Sequence, residues 1–589
     1  MSRIRRGAAT RLKWLPRILV WLLAGSCPAS MPALPLDTQV QQRLEYEADA
    51  AKTILELQPF RTQVRLALRR ADGASGLATL INLNPWIGTW YVLIVQFPDA
   101  APAAYHLQGN PGQTLQLLPG APGRIRIGGA QGAVCVLAVA PIGAELEAAR
   151  TRLPYAPLCA PWLYLRHPVS GQHTSLEWIT DFLRDRIWGG EQVINFVKET
   201  FYQDSFLQQR EHEALHSIAR EASSDLMPWP ASLAPERAQQ SIDPQQLGIH
   251  WAAPGRELLP GRWYSQAHLA GVYLSVLAPE DIDHALLMGH ERSVNPLDAV
   301  ESGALVYLVA FDLQHLDLHF AVGTDHPRLD WSERAPREAR LPGPDGVGSA
   351  APLVLNGMVL PTEVASTIAT FTGGFKRAHG AFRYGALAER NHGSHYGFIE
   401  QGVILSKLQP GLATVVVLDD GSVDARTWTL ADNALLPHVR FARQNGVPLI
   451  EYDARRGGGV PGDLVNLWGP GNWSGSANVD LRTLRAGLCL QETGQRRFLI
   501  YGYFSAATPS AMARVFQAYR CRYALHLDMN ALEHTYLALY VADGPRRIIE
   551  HLIRGMSAVD RQSGANYLPR FLSFADDRDF FYFTQRSAP

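Results

Sequence analysis

The chain has 589 residues, 47% of them hydrophobic and 19% charged, a composition that builds packed cores and excludes a largely disordered protein. At this length two to four domains are expected. A formal charge of −1 leaves no surplus of basic side chains to neutralise a phosphate backbone, so nucleic acid is excluded as the expected partner.

Residues 1–30 read as an export signal. Arg3, Arg5, Arg6, Arg11, Lys13 and Arg17 precede the apolar run Ile18-Leu19-Val20-Trp21-Leu22-Leu23-Ala24, which is too short to span a bilayer, and Ala24-Gly25-Ser26 supplies the small residues of a cleavage site. The expected location is extracytoplasmic, periplasmic or secreted. Cys27 directly after this run offers an alternative, membrane anchoring through a lipidated cysteine, and Arg5-Arg6 offers a twin-arginine signal.

Residues 37–165 are expected to form a β-rich N-terminal domain after an opening helix over 37–60, where Leu44, Ala48, Ala51, Ile54 and Leu55 share a stripe. The runs Gly88-Thr89-Trp90-Tyr91-Val92-Leu93-Ile94-Val95, Thr114-Leu115-Gln116-Leu117-Leu118, Arg124-Ile125-Arg126-Ile127 and Ala133-Val134-Cys135-Val136-Leu137 are punctuated by Pro and Gly turns, as in a small antiparallel sheet. A helical segment over 166–222 follows, opened by the capping box Thr174-Ser175-Leu176-Glu177. Residues 223–262 are rich in Pro and polar side chains and read as a linker to a C-terminal domain, 263–589. Within that domain 334–351 reads as a long loop of the length lids use. Cys135, Cys159, Cys489 and Cys521 make an even number in a chain expected outside the cytoplasm. Sequence-local pairing would join Cys135 to Cys159 and Cys489 to Cys521, with four buried thiols as the alternative.

The most informative stretch lies near the end. Thr508 reads as an N-cap and Pro509 as the first helical residue, with Met512, Val515, Phe516 and Tyr519 on one buried face. Cys521 closes the helix, and Arg522-Tyr523-Ala524-Leu525-His526-Leu527-Asp528 reads as a strand that delivers Asp528 at its carboxyl end, where open α/β sheets place ligands. A helix packed on a sheet in this way gives the expected fold class, α+β or mixed α/β.

The order of segments around that acid resembles the phosphodiester glycosidase family, whose members remove N-acetylglucosamine from a phosphodiester. The likeness spans roughly residues 262–585. It rests on the strand Ala304-Leu305-Val306-Tyr307-Leu308-Val309-Ala310-Phe311-Asp312 and on Phe371-Thr372-Gly373-Gly374-Phe375, which is similar to the family's Asn-Gly-Gly-Phe turn. It also rests on Gly397, Gly402 and the hairpin around Asp419-Asp420-Gly421, on Leu484-Arg485-Ala486-Gly487, similar to an Arg-x-Ala-x-Gly segment, and on Leu527-Asp528. The resemblance implies a hydrolase acting on a glycan or sugar-phosphate substrate, with Asp528 as acid/base or nucleophile and Arg485 as a bidentate phosphate clamp. Thr372, Gly373 and Gly374 would offer backbone N–H groups to an anion, and Glu533 or His534 would supply a second titratable group. Two departures stand out: Thr372 replaces the family's Asn, and Met529-Asn530 stands where the family has glycines, which permit positive φ and close approach of a ligand.

Other constellations compete with this reading. His212-Glu213-Ala214-Leu215-His216 matches a zinc-protease helix, but polar flanks and the lack of an obvious third ligand favour a solvated helix face. His392 and His395 have no carboxylate or cysteine at ligand spacing and read as a polar loop, so no metal and no cofactor is expected. Trp468 and Trp473 flank a glycine-rich loop, and Trp473 is a candidate for stacking on a sugar ring. The alternatives to the hydrolase are a non-catalytic glycan- or envelope-binding protein on the same fold and, third, a zinc metalloprotease through His212 and His216.

Overall fold

The computed structural model describes residues 62–82, 88–110, 113–138, 144–151, 155–159, 161–166, 205–209, 227–252, 257–323, 357–375, 396–467, 480–544, 546–563 and 566–586. The export signal with Cys27, the helix over 37–60, most of the helical segment with His212, Glu213 and His216, the loop 334–351, His392, His395, Trp468 and Trp473 lie outside the described residues.

In the N-terminal region the apolar–polar alternation builds two antiparallel sheets around one core. A six-stranded sheet runs in the order Thr62–Arg69, Ser75–Asn82, Trp90–Gln96, Ala103–Gly109, Leu163–Arg166, Tyr155–Cys159. A three-stranded sheet consists of Gln116–Leu118, Arg124–Gly128 and Val134–Ala138. Tyr91, Leu93, Val95, Tyr105, Leu107, Ile125, Ile127, Leu163 and Leu165, alternate residues of their strands, meet in that core. The Cys135–Cys159 disulfide joins the two sheets, with Cα atoms 5.7 Å apart.

The stretch read as a linker is bound to the domain it precedes. Ile242 bridges to Leu258 and Leu247 to Ile553, and Ile242, Leu247, Ile249 and Leu258 enter the C-terminal core.

The C-terminal region overturns the expected α+β or mixed α/β class. Among the described residues three large sheets and a two-stranded ribbon, Arg561–Ser563 with Asn566–Leu568, carry it, and every strand pair in them is antiparallel. The largest has eight strands in the order Tyr264–Ser265, Val272–Leu277, Val306–Asp312, Arg496–Ala507, Thr483–Thr493, Tyr523–Met529, Pro448–Asp453, Gly458–Pro461. A five-stranded sheet follows the order Leu316–Ala321, Phe580–Gln585, Thr367–Thr372, Leu537–Asp543, Arg546–His551, and a second one Val403–Ser406, Phe398–Glu400, Val439–Gln444, Ala413–Leu418, Val423–Thr427. Among the described residues the protein is mostly β. The physical reason is visible in the burial: every residue of Val306–Asp312, Thr367–Thr372 and Tyr523–Met529 is buried, and in Val306–Asp312 alternate residues enter a core shared with the other sheets on one face and a core shared with the helix Pro509–Ala518 on the other. Near-continuous apolar runs, common in parallel α/β sheets, here belong to stacked antiparallel ones.

The helix Pro509–Ala518 forms where the sequence places it. Thr508 Oγ1 accepts from the Ala511 N–H at 3.3 Å, and buried Glu301 accepts from the Thr508 N–H at 2.6 Å, so two of the donors at the helix start are met. The helix lies close on the eight-stranded sheet because Gly487 leaves room: a Cβ there would sit 2.8 Å from both Met512 and Phe516. The Cys489–Cys521 disulfide, both residues fully buried, ties the Arg485 strand to the end of this helix. Two such bridges fit a protein that matures in an oxidising, extracytoplasmic compartment.

Candidate active site

The strand Tyr523–Met529 does not keep its alternation to the end. Gly487 pairs with His526 but Arg485 pairs with Met529, so the Asp528 strand carries one extra residue across this step, a β-bulge. The bulge separates neighbours. His526 and Met529 both meet Arg485, while Asp528 between them turns to Arg578. Asp528 therefore pairs with Arg578, from a distant segment, and not with Arg485 on the neighbouring strand.

Asp528 is 1% exposed and Arg578 equally so. Asp528 Oδ2 receives the Arg578 guanidinium in a short contact, and Oδ1 accepts the N–H of Met529 at 2.8 Å. The chain then turns back through Asn530, whose φ of +79° lies in the left-handed region. Asparagine tolerates that conformation better than most residues, and it takes over the backbone role expected of a glycine. Its N–H bonds to the Leu484 carbonyl at 2.8 Å, and its Oδ1 accepts from Thr483 at 3.1 Å.

The turn returns His534 to the acid. His534 Nδ1 lies 2.6 Å from the Met529 carbonyl and 4.0 Å from Asp528 Oδ1. A carbonyl only accepts, so Nδ1 carries a proton, and in the neutral ring the lone pair is on Nε2. The His534 side chain is 12% exposed against 2% for Asp528, which makes the imidazole the member of the pair nearer to solvent. Glu533 is half-buried, and its carbonyl accepts from Arg570 at 2.5 Å.

Thr372 and the two glycines dock this turn. Thr372 Oγ1 donates to the His534 carbonyl at 2.7 Å, its N–H to the Tyr536 carbonyl at 3.2 Å, and the Gly373 N–H to the Asp579 carbonyl at 2.8 Å. The Phe375 N–H donates to Asn445 Oδ1 at 3.2 Å. Gly374 has φ +142°, and a Cβ there would fall 2.9 Å from that same oxygen, so this position requires glycine. These N–H groups are spent on protein acceptors, and the turn positions the His534 and Asp579 segments.

Arg485 is wholly buried. Nε donates to the Ala507 carbonyl at 2.8 Å and Nη2 to the Leu481 carbonyl at 2.9 Å. Nη1 lies 3.3 Å from Met529 Sδ and 3.4 Å from His526 Nε2. Burial pushes the guanidinium down to about 9, and Glu301 acts against that. Burial, and then the charge of Arg485, hold His526 well below its ordinary value, so its ring is neutral.

The run Asp576-Asp577-Arg578-Asp579 was not singled out by sequence reasoning, yet all four residues are buried. Besides the Arg578–Asp528 contact, Asp579 pairs with buried Arg443 at 3.0 Å and accepts from the Gly323 N–H at 2.8 Å, and Asp576 takes both Nε and Nη2 of Arg570 at 2.7 and 2.8 Å. Arg443 also donates to the Phe375 carbonyl at 2.8 Å, and Asn445 caps the carbonyls of His526 and Leu527. The available signal was a charged run between Phe571-Leu572-Ser573-Phe574 and Phe580-Phe581-Tyr582-Phe583: charges flanked by core on both sides are held there by partners.

No family model matches the chain, and no curated protein matches it in sequence. Among solved structures it is similar to the catalytic domain of zebrafish N-acetylglucosamine-1-phosphodiester alpha-N-acetylglucosaminidase auto-inhibited by pro-peptide, at 9% identity and a TM-score of 0.27, over 62% of this chain and 98% of that one. It is also similar to a hypothetical protein from Synechocystis, at 12% identity and a TM-score of 0.23, over 84% of this chain and 97% of that one. Both likenesses are weak, and no argument about activity rests on them.

Proposed function

We propose that the protein is an exported hydrolase that cleaves a sugar phosphodiester or a related glycan linkage, with Asp528 as the reacting carboxylate. The observation that carries this reading is the meeting, on one turn, of a carboxylate fixed by Arg578 and an imidazole 4.0 Å away whose neutral form carries its lone pair on Nε2. Hydrolysis of a glycosyl phosphodiester needs a carboxylate at the anomeric carbon or on the attacking water, while the phosphate leaves as an anion without a strong acid. Arg578 keeps the Asp528 carboxylate oriented, and His534 takes or returns the proton of water. Arg485 supplies positive charge beside the same strand end.

Incubation with α- and β-linked sugar-1-phosphodiesters, following release of reducing sugar, tests the reading. Turnover by the wild type that falls at least about a hundredfold in Asp528→Asn is the expected result. A second reading, a glycan-binding protein without catalysis, is favoured by the turn N–H groups being engaged internally. Saturable glycan binding with no turnover of any phosphodiester would select it.

A further inference from the structure

A guanidinium buried without a counter-ion among the described residues is the least explained charge in the region. Among the described residues Arg485 has no carboxylate hydrogen-bond partner: two main-chain carbonyls, a thioether and a neutral imidazole receive its donors. Glu301, the acid that acts on it from a distance, spends its own oxygens on the N–H groups of Thr508 and Asp298. Proteins bury a charge at a large desolvation cost unless an opposite charge meets it. Its two neighbours at Nη1 are also its weakest: thioether sulfur is a poor acceptor, and the contacts to Met529 and His526 are long, 3.3 and 3.4 Å.

Met529 is the movable member of this group. Its main chain is fixed, since its N–H bonds Asp528 Oδ1 and its carbonyl receives His534 Nδ1. Only the side chain can shift, and methionine, unbranched with three rotatable bonds, repacks readily. It packs among Phe375, Tyr396, Leu412 and Leu481, an apolar wall that would strengthen the attraction between Arg485 and an anion by excluding water.

We infer that Met529 closes an oxyanion seat on Arg485, and that an anionic oxygen group of phosphate type displaces the thioether to bind there. This rests on the proposed function, in which the substrate carries such a group. It makes Met529 a specificity-determining residue: a ligand without an anion strong enough to displace the thioether does not engage Arg485.

Titration of the full-length protein with inorganic phosphate by calorimetry tests it, using Met529→Ala, the milder Met529→Val, and Met529→Leu, which keeps the bulk. Near-UV circular dichroism confirms that each is folded. Met529→Ala and Met529→Val should bind phosphate at least about tenfold more tightly than the wild type and Met529→Leu, and Arg485→Met combined with Met529→Val should lose the gain. Equal affinity with and without the methionine side chain would overturn the gate and leave the hydrolase reading standing. A gain that persists without Arg485 would also overturn it, by placing the anion elsewhere. Failure of every folded variant to bind phosphate would remove the seat itself, while turnover lost in Asp528→Asn would still support the carboxylate chemistry independently.

Discussion

The pair Arg578–Asp528 holds the candidate carboxylate, and its energetics can be worked from burial. Both side chains are at most 2% exposed, so Arg578→Met would strand a carboxylate away from water with only the Met529 N–H left to it among these contacts. Removing one partner of a buried pair costs about 3–5 kcal/mol, whereas replacing both by uncharged groups of similar size costs far less and is sometimes neutral. Arg578→Met alone is therefore expected to lower the free energy of unfolding by about 3–5 kcal/mol, and Arg578→Met with Asp528→Asn to recover at least about half of that loss. Urea denaturation followed by tryptophan fluorescence measures it, since Trp428 and Trp263 are buried in the C-terminal region, with comparable slopes required across the set. If the double variant loses as much as the sum of the single ones, the two side chains are not coupled and the description of the site is wrong.

Opening the Cys489–Cys521 bridge, which closes a separation of 32 residues, should cost about 3–4 kcal/mol, and peptide mapping without reductant should find the two cysteines joined; free thiols at both positions would contradict the fold around the helix Pro509–Ala518. At Asn530, φ +79° predicts that Asn530→Gly is tolerated within a few tenths of a kcal/mol while Asn530→Val loses about 1–2 kcal/mol in the same denaturation assay; equal effects would mean that the turn adopts another conformation. Burial depresses both His319 and His526 below 6.5, so their contribution to stability is present above that value and is lost as pH falls, by about 1.4 kcal/mol per pH unit for each group until it protonates in the folded state. His319→Gln should flatten the loss of stability below pH 6.5, and an unchanged slope would place that histidine elsewhere.

Local signals read well from the sequence. The Thr508 cap, Pro509 at the first helical position and the Met512, Val515, Phe516 face specify a helix that forms, and the acid at the end of the next strand is where it was expected. The disulfide pairing followed from proximity in sequence. What escaped was non-local. Alternation predicts the side to which a strand residue points only while the register holds, and the bulge between the Gly487–His526 and Arg485–Met529 pairs sends Asp528 away from Arg485. The fold class failed for a related reason: a run such as 306–311, apolar throughout, is the same string whether helices or a second sheet cover it. Arg443, Asn445 and Arg578 act across separations of 50 to 136 residues, which no periodicity encodes.

The location of the reacting centre is most directly tested by a crystal structure of Asp528→Asn bound to an intact glycosyl phosphodiester. With Asp528 as the reacting carboxylate, the anomeric carbon or its attacking water should lie about 3–3.5 Å from the side chain at position 528, with the His534 ring facing the same water. A sugar phosphodiester bound elsewhere, with no atom near position 528, would contradict it.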